Sequence, residues 1–292
     1  MRTNRTPVID GHVHLFDSKR IARKIMTAFN EKFEIPEGNY GVGTVDDLVE
    51  TLDRSGIDFA VIANFSDARY VDGVNNFTLV ESKNNKRLIP LVSVHPELDK
   101  PLAELLNSYK KRGAKGLKLH PMAQEFEPSD KRLDTVYSWC SDNSFPIVFH
   151  CGRVANARIN EFADLDRIIP VVKKYPDVDF ILTHMVDGSE EDIRSTVGRF
   201  ENVYIDTSIV MTGHPDFLRF NEPSWHDDER FIRIVREVGV ERFFFGSDYP
   251  WGSPYYDSLR FRGMTLTENE RTMILGGNAA RIFKIGNQEN GS

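Results

Sequence analysis

Along almost the whole chain, short runs of β-branched and aromatic residues alternate with longer stretches of helical period. Val8–Leu15, Phe59–Phe65, Leu88–His95, Gly116–His120, Ile147–Cys151, Phe180–His184, Val203–Ile209 and Phe243–Ser247 predict eight strands. Between them, Thr44–Arg54, Pro101–Arg112, Leu133–Asn143, Leu165–Lys174, Glu190–Phe200 and Glu229–Val238 carry apolar residues on one face and charges on the other, the pattern of amphipathic helices. Thr44, followed by Asp46 and Asp47, predicts an N-cap with acidic residues in the first turn. Gly56, Gly113 and Gly239 fall just past helical segments, where a residue with positive φ ends a helix at least cost.

Strands separated by helices imply parallel pairing through right-handed crossovers. An open doubly wound sheet and a closed (β/α)8 barrel both satisfy that pattern. The count of eight and a length of 292 residues, near the ~250 typical of such barrels, favour the closed α/β TIM barrel. No Pro/Gly/Ser-rich linker, repeat or low-complexity tract divides the chain, so the expectation is a single domain over residues 1–292 with a core from 7 to 284. Ser18–Gly43, inserted after the first strand, is expected to cover the mouth. The polar tail after Asn287 is expected to fray.

Composition narrows the partners. Hydrophobic residues make up 40% and charged residues 28%, with a net charge of −7, which excludes a disordered chain or a fibre. The acidic balance argues against nucleic acid or an anionic membrane, both of which favour clustered Lys/Arg. The expected partner is a small-molecule substrate, with self-association into a homo-oligomer left open. Two cysteines, Cys140 and Cys151, form no CxxC pair, as in a reducing compartment. With no signal-peptide pattern near Met1 and no apolar window of ~18 residues, a cytoplasmic location is expected.

The histidines change the picture most. Of eight, six fall at the ends of predicted strands: His12 and His14 on the first, His95, His120, His150 and His184 on the third to sixth. The eighth strand ends in Gly246-Ser247-Asp248. In parallel α/β folds the C-terminal strand ends form the functional face. In His12-Val13-His14 the two histidines share a strand face, about 6.5 Å apart given the rise per residue, and can grip one cation while Val13 faces the helices. A lone HxH is weak evidence for metal, but His150, His184 and Asp248 at other strand ends make a metal site the expected reading.

Ile-Asp-Gly-His-Val-His-Leu (9–15), Val-Phe-His-Cys-Gly (148–152), Leu-Thr-His-Met-Val (182–186) and Phe-Gly-Ser-Asp-Tyr-Pro-Trp-Gly (245–252) together resemble the amidohydrolase superfamily. The closer resemblance is to its amidohydrolase-related branch of metal-dependent TIM-barrel hydrolases and decarboxylases. Gly-Leu-Lys-Leu-His-Pro (116–121) and Ile-Leu-Gly-Gly-Asn-Ala-Ala-Arg-Ile-Phe (274–283) extend it over nearly the whole chain. The resemblance implies that His12, His14, His150 and Asp248 hold one divalent ion, zinc before manganese, cobalt or iron. It implies that Asp248 takes the proton of a metal-activated water, with His184 beside the metal as a polarising acid/base or an added ligand. A metal-dependent hydrolase of a small anionic ester, lactone or amide is therefore expected.

Two departures bear on that expectation. Binuclear members bridge their metals through strand four, where Lys118 shares the parity of His120; an ammonium that neutralises a substrate carboxylate is the simpler role. Decarboxylases of the branch carry Gly-Glu soon after the strand-six histidine, whereas this chain has Met185-Val186-Asp187-Gly188. A decarboxylase or hydratase at the same site is the closest rival; a catalytically silent ligand-binding barrel is the more distant one, with no need of the ligand set. Lys118, His120 and Arg153 are expected to contact substrate, Arg153 as a bidentate partner of a carboxylate. Tyr249 and Trp251 either wall the site or pack under a loop. His95 lies between pocket and loop, Asp10 is expected in a supporting role on the same face as His12, and Asp206 is undecided.

Overall fold

Alternation along short strands decides what faces the inside of the ring. In the computed structural model, which describes residues 5–34, 39–152, 160–211 and 227–286, the strands are β1 (Ile9–Val13), β2 (Phe59–Ile62), β3 (Leu88–Ser93), β4 (Gly116–Leu119), β5 (Ile147–Phe149), β6 (Phe180–Leu182), β7 (Val203–Asp206) and β8 (Phe243–Phe244). They stand in sequence order, and each pairs in parallel with the next. Ile9, Val61, Leu91, Val148, Ile181 and Phe244 fill the floor of the ring, and Ala279 and Ile282 of the helix Asn278–Ile282, with Phe283 just past it, pack against them. The alternate residues, among them Ile62, Leu117, Phe149 and Ile205, meet the surrounding helices. This is the expected α/β TIM barrel.

The ring closes between β8 and β1 through irregular bonds rather than a regular ladder. Gly11 N–H donates to Phe245 O (2.8 Å), Asp248 N–H to His12 O (2.9 Å) and His14 N–H to Tyr249 O (2.7 Å). A bulge in β1 between Asp10 and Val13 shifts its register against β2. The shift puts Ile9 in the floor while Val13 packs outward, so the parity of Asp10 does not carry through to His12. Gly11 sits at this bulge because a Cβ there would lie 2.4 Å from the Phe244 ring and 2.9 Å from Phe245 O. Although β8 pairs over only two residues, Phe243, Phe244 and Phe245 are all fully buried, each side chain contributing about 1.5–3 kcal/mol. Packing on both faces, not the ladder, fixes the end of β8 and hence Asp248.

The strands are shorter at their C-terminal ends than the hydrophobic runs predict. Beyond the last regular pair, side chains take over as acceptors: His120 N–H donates to Gln124 Oε1 (2.9 Å) and His184 N–H to Asp206 Oδ1 (3.0 Å). His14, His120 and His150 stand one residue past their strands, and His184 two.

The insertion after β1 contains helix α1 (Lys19–Phe33), capped by Ser18, whose Oγ accepts Ile21 N–H. Helix α2 (Val45–Ser55) follows; Gly56 ends it at φ 63° as expected, but Thr44 stands at the N-cap without a side-chain cap bond. Asp47 serves the loop instead, accepting Val42 N–H at 2.7 Å and the Tyr249 hydroxyl. Cys140 and Cys151 are buried. No helix of the described residues is long and apolar enough to cross a membrane.

Candidate metal centre

At the C-terminal mouth of the ring, His12, His14 and Asp248 each present one donor atom within 4.8 Å of the other two. His12 Nε2 lies 3.5 Å and His14 Nε2 3.3 Å from Asp248 Oδ1. The edge of a tetrahedron with metal–ligand bonds of 2.0–2.1 Å is about 3.4 Å, so the spacing fits a divalent ion. The proton on His12 fits too. Its Nδ1 is 2.7 Å from Asp206 Oδ2, and a carboxylate only accepts, so Nδ1 carries the hydrogen and Nε2 keeps its lone pair. The Lys118 ammonium, fully buried, sits 3.3 Å from that Nε2, a cation of the chain's own where positive charge is wanted.

Burial sets the charge states. It lowers the pKa of His12 to about 4, with the nearby Lys118 charge adding to the effect against Asp206 and Asp248. His14 is likewise lowered by burial, against the pull of Asp248. Burial also brings Lys118 down to about 8, opposed by Asp206 and Asp248. Burial works to raise Asp248 and Asp206, yet both end well below the usual carboxylate range: His14 bonds Asp248, and His12 bonds Asp206. Neutral imidazoles beside ionised carboxylates are the protonation states that ligate metal.

His150 and His184 form a neighbouring pair. His184 Nε2 lies 3.1 Å from His150 Nδ1, while His150 Nε2 lies 3.3 Å from Gly152 O. Both ring nitrogens of His184 are therefore engaged by protein, since Nδ1 is 2.8 Å from Ser208 Oγ. His120 stacks on His150 with centroids 3.7 Å apart and planes within 10°, and its Nδ1 accepts Ala123 N–H. His184, Met185 and Val186 all have φ between 48° and 58°, and Asp248 has φ 65°. Backbone held in the left-handed region at β-branched and functional residues marks a segment its surroundings over-determine.

The cover reaches the site. Phe29 and Phe33 of α1 approach His120 at 6.3 and 6.5 Å, and Phe65, after β2, lies 4.2 Å from it. Trp251 stands edge-on to His14 at 5.6 Å, contacts Phe29 at 5.1 Å and donates from Nε1 to Asn30 Oδ1. Of the two aromatics that follow Asp248, Trp251 thus walls the site, while Tyr249 packs under the loop, accepting Gly43 N–H.

His95 holds a backbone turn, with Nε2 donating to Gln124 O and Nδ1 accepting Glu97 N–H. Asp10 supports from behind, accepting His12 N–H and Ser247 N–H; burial raises its pKa to about 7. Arg153 lies outside the described residues. The sequence left Asp206 undecided and did not point to Ser208, Phe29, Phe33 or Phe65. The signal for the first two was Tyr204, Asp206 and Ser208 in alternation at a strand end.

A parallel barrel with a metal-ligand cluster at its mouth defines a class of enzyme folds, and the comparisons place the chain more narrowly. Residues 9–285 match the family model described as Amidohydrolase. The chain belongs to the amidohydrolase family. It is 22% identical, over 94% of its own length and 88% of the relative's, to a 4-sulfomuconolactone hydrolase from Hydrogenophaga intermedia. Among solved structures it resembles a putative 2-pyrone-4,6-dicarboxylic acid hydrolase from Pseudomonas putida (16% identity, 97% of this chain and 99% of that one, TM-score 0.69). It also resembles a 5-carboxyvanillate decarboxylase from Novosphingobium aromaticivorans complexed with manganese and 4-hydroxy-3-methoxy-5-nitrobenzoic acid (12%, 96% and 96%, TM-score 0.67).

Proposed function

We propose that the protein is a metal-dependent hydrolase acting on a small anionic lactone, ester or amide. The observation that carries this reading is the donor set of His12, His14 and Asp248, with His12 held by Asp206 in the ligating tautomer. His150 completes the set from β5. A divalent ion held there, zinc or the manganese present in the decarboxylase structure, would supply Lewis acidity that lowers the pKa of a water toward neutrality.

The chain's own residues do the rest. Asp248 accepts the proton of the attacking water, since its carboxylate stays ionised and has a second oxygen for a hydrogen bond. Lys118 places positive charge at the buried floor, where it meets a substrate carboxylate or the negative charge developing on the acyl oxygen. Arg153 is assigned to the substrate's anionic end. His120, stacked on His150 and packed beside Phe65, is assigned to substrate binding, and His184 holds His150 in place. Phe29, Phe33 and Trp251 exclude water from above.

That aromatic cover equally favours an aromatic carboxylic acid, and with it decarboxylation in the same pocket. Product analysis separates the two. Protein reconstituted with zinc or manganese and screened on lactones, esters and aromatic acids is expected to yield one acid equivalent per turnover with no gas. Stoichiometric CO₂ release without that acid would replace hydrolysis by decarboxylation; no turnover with any metal would overturn both.

A further inference from the structure

The segment that carries Asp248 is held from outside the barrel as well as from within it. On the barrel side, Asp248 N–H donates to His12 O, His14 N–H to Tyr249 O and Tyr249 N–H to Ser247 Oγ. On the other side run residues 40–43, by which the insertion after β1 returns to α2. Tyr40 N–H donates to Pro250 O (2.8 Å), and Gly43 N–H to the Tyr249 hydroxyl (3.1 Å). That hydroxyl in turn donates to Asp47 Oδ2, the same oxygen that accepts Val42 N–H at 2.7 Å. Gly41 leaves no room for a Cβ against the Tyr249 ring, so this limb wraps a side chain that is itself fully buried. Helix α1 takes hold at Trp251, whose Nε1 donates to Asn30 Oδ1 at 3.0 Å and whose ring packs with Ala22 and Met26. Both limbs of the cover thus close on residues 248–251.

Asp248 stands at φ 65°, in the left-handed region that a residue other than glycine keeps only where its surroundings over-determine it. Because β8 ends at Phe244, the regular ladder stops short of Asp248. Turning that backbone toward an ordinary φ would drag the Tyr249 ring out of its slot between Gly41, Gly43 and Asp47. We infer that Tyr249 is a positioning residue for Asp248: its hydroxyl, shared between Gly43 and Asp47, lets the cover hold the carboxylate at the metal site, so that cover and ligand shift together. This rests on the metal-centre reading above and deepens it. An Asp248 held by the barrel alone would be indifferent to that hydroxyl.

Two readouts on the full-length protein test the linkage. Tyr249→Phe removes the hydroxyl and keeps the ring. In the metal-free variant, amide hydrogen exchange is expected to quicken ~5–10-fold, the effect of one lost hydrogen bond, both at residues 40–43 and at His14 and Asp248. Faster exchange confined to residues 40–43 overturns the linkage. Cobalt(II) added to the protein reports ligand geometry through its d–d absorption. In Tyr249→Phe the band is expected to shift and cobalt affinity to fall ~10-fold. Tyr137→Phe, which loses a buried hydroxyl's bond to Pro128 O, is expected to lower stability and leave the band in place. An unchanged band and affinity in Tyr249→Phe overturns the role of Tyr249, and so does the same shift in both variants. If Tyr249→Phe does not fold, Asp47→Ala, which removes the acceptor from the α2 side, is read in the same two ways and decides. A wild type that binds neither cobalt nor manganese removes the metal reading, and the exchange of His14 and Asp248 then decides the linkage alone.

Discussion

Asp206 Oδ2 and His12 Nδ1 meet at 2.7 Å from β7 and β1, and both residues are shut off from solvent. Replacing the carboxylate by an amide would set an N–H₂ donor or a weaker acceptor against a ring N–H. Asp206→Asn is therefore expected to weaken metal binding ~10–100-fold, measured by chelator competition. An unchanged affinity would mean that His12 is not held as a ligand by this bond.

Asp248 lies 3.3 Å from His14 Nε2 and 3.5 Å from His12 Nε2, with its backbone at φ 65°. Asp248→Asn keeps size and shape, so the thermal transition should move little. Turnover should fall ~10²–10⁴-fold from loss of the base alone, and further if the metal is also lost. Turnover near wild type refutes the assignment of Asp248.

The buried histidines make the metal-free protein acid-sensitive. The folded pKa of His12 is about 4, and those of His14, His120 and His150 are also lowered by burial. The unfolded chain, with values near ~6.5, binds protons first as pH falls. The contribution of these histidines to stability should therefore be full above pH ~6.5, decline as pH drops through that value, and keep declining toward the lower folded values. Urea midpoints from pH 8 to 4.5 check this. A flat profile would show that these imidazoles are not kept neutral by burial.

Phe29 contacts Trp251 and Phe65 and approaches His120. If α1 forms the upper face of the substrate pocket, Phe29→Ala should raise KM by ~10-fold, the ~1.4 kcal/mol of a lost aromatic contact, with a smaller change in kcat. Steady-state kinetics on the identified substrate decide it; a fall in kcat at unchanged KM would assign α1 to closure rather than binding.

Most of the architecture could be read from periodicity, because β-branched runs between amphipathic helices admit few parallel arrangements. The inward turn of Lys118 followed from its parity with His120. The bulge at Gly11 did not, since one extra residue in a strand leaves no mark on a pattern of period two. That bulge is why Asp10 lies behind His12 rather than beside it. Sequence placed His12, His14 and Asp248 together through resemblance and strand ends. The supporting contacts of Asp206 and Ser208 were hidden because a polar pair in a strand-end alternation looks the same whether it faces a ligand or a neighbouring loop. Phe29 and Phe33 were hidden for a related reason: the sequence of the insertion after β1 shows which residues are apolar but not which ring they meet.

The three clustered donors come from the two ends of the fold: His12 and His14 from β1, Asp248 from the segment after β8. They straddle the seam where the ring closes on irregular bonds from Gly11, His14 and Asp248. An ion gripped there would act as a rivet between the first and last strands. Chains whose barrel has not shut own no binding site, so catalytic competence and completed folding become one event, and metal loss should loosen the molecule along that single line before anywhere else.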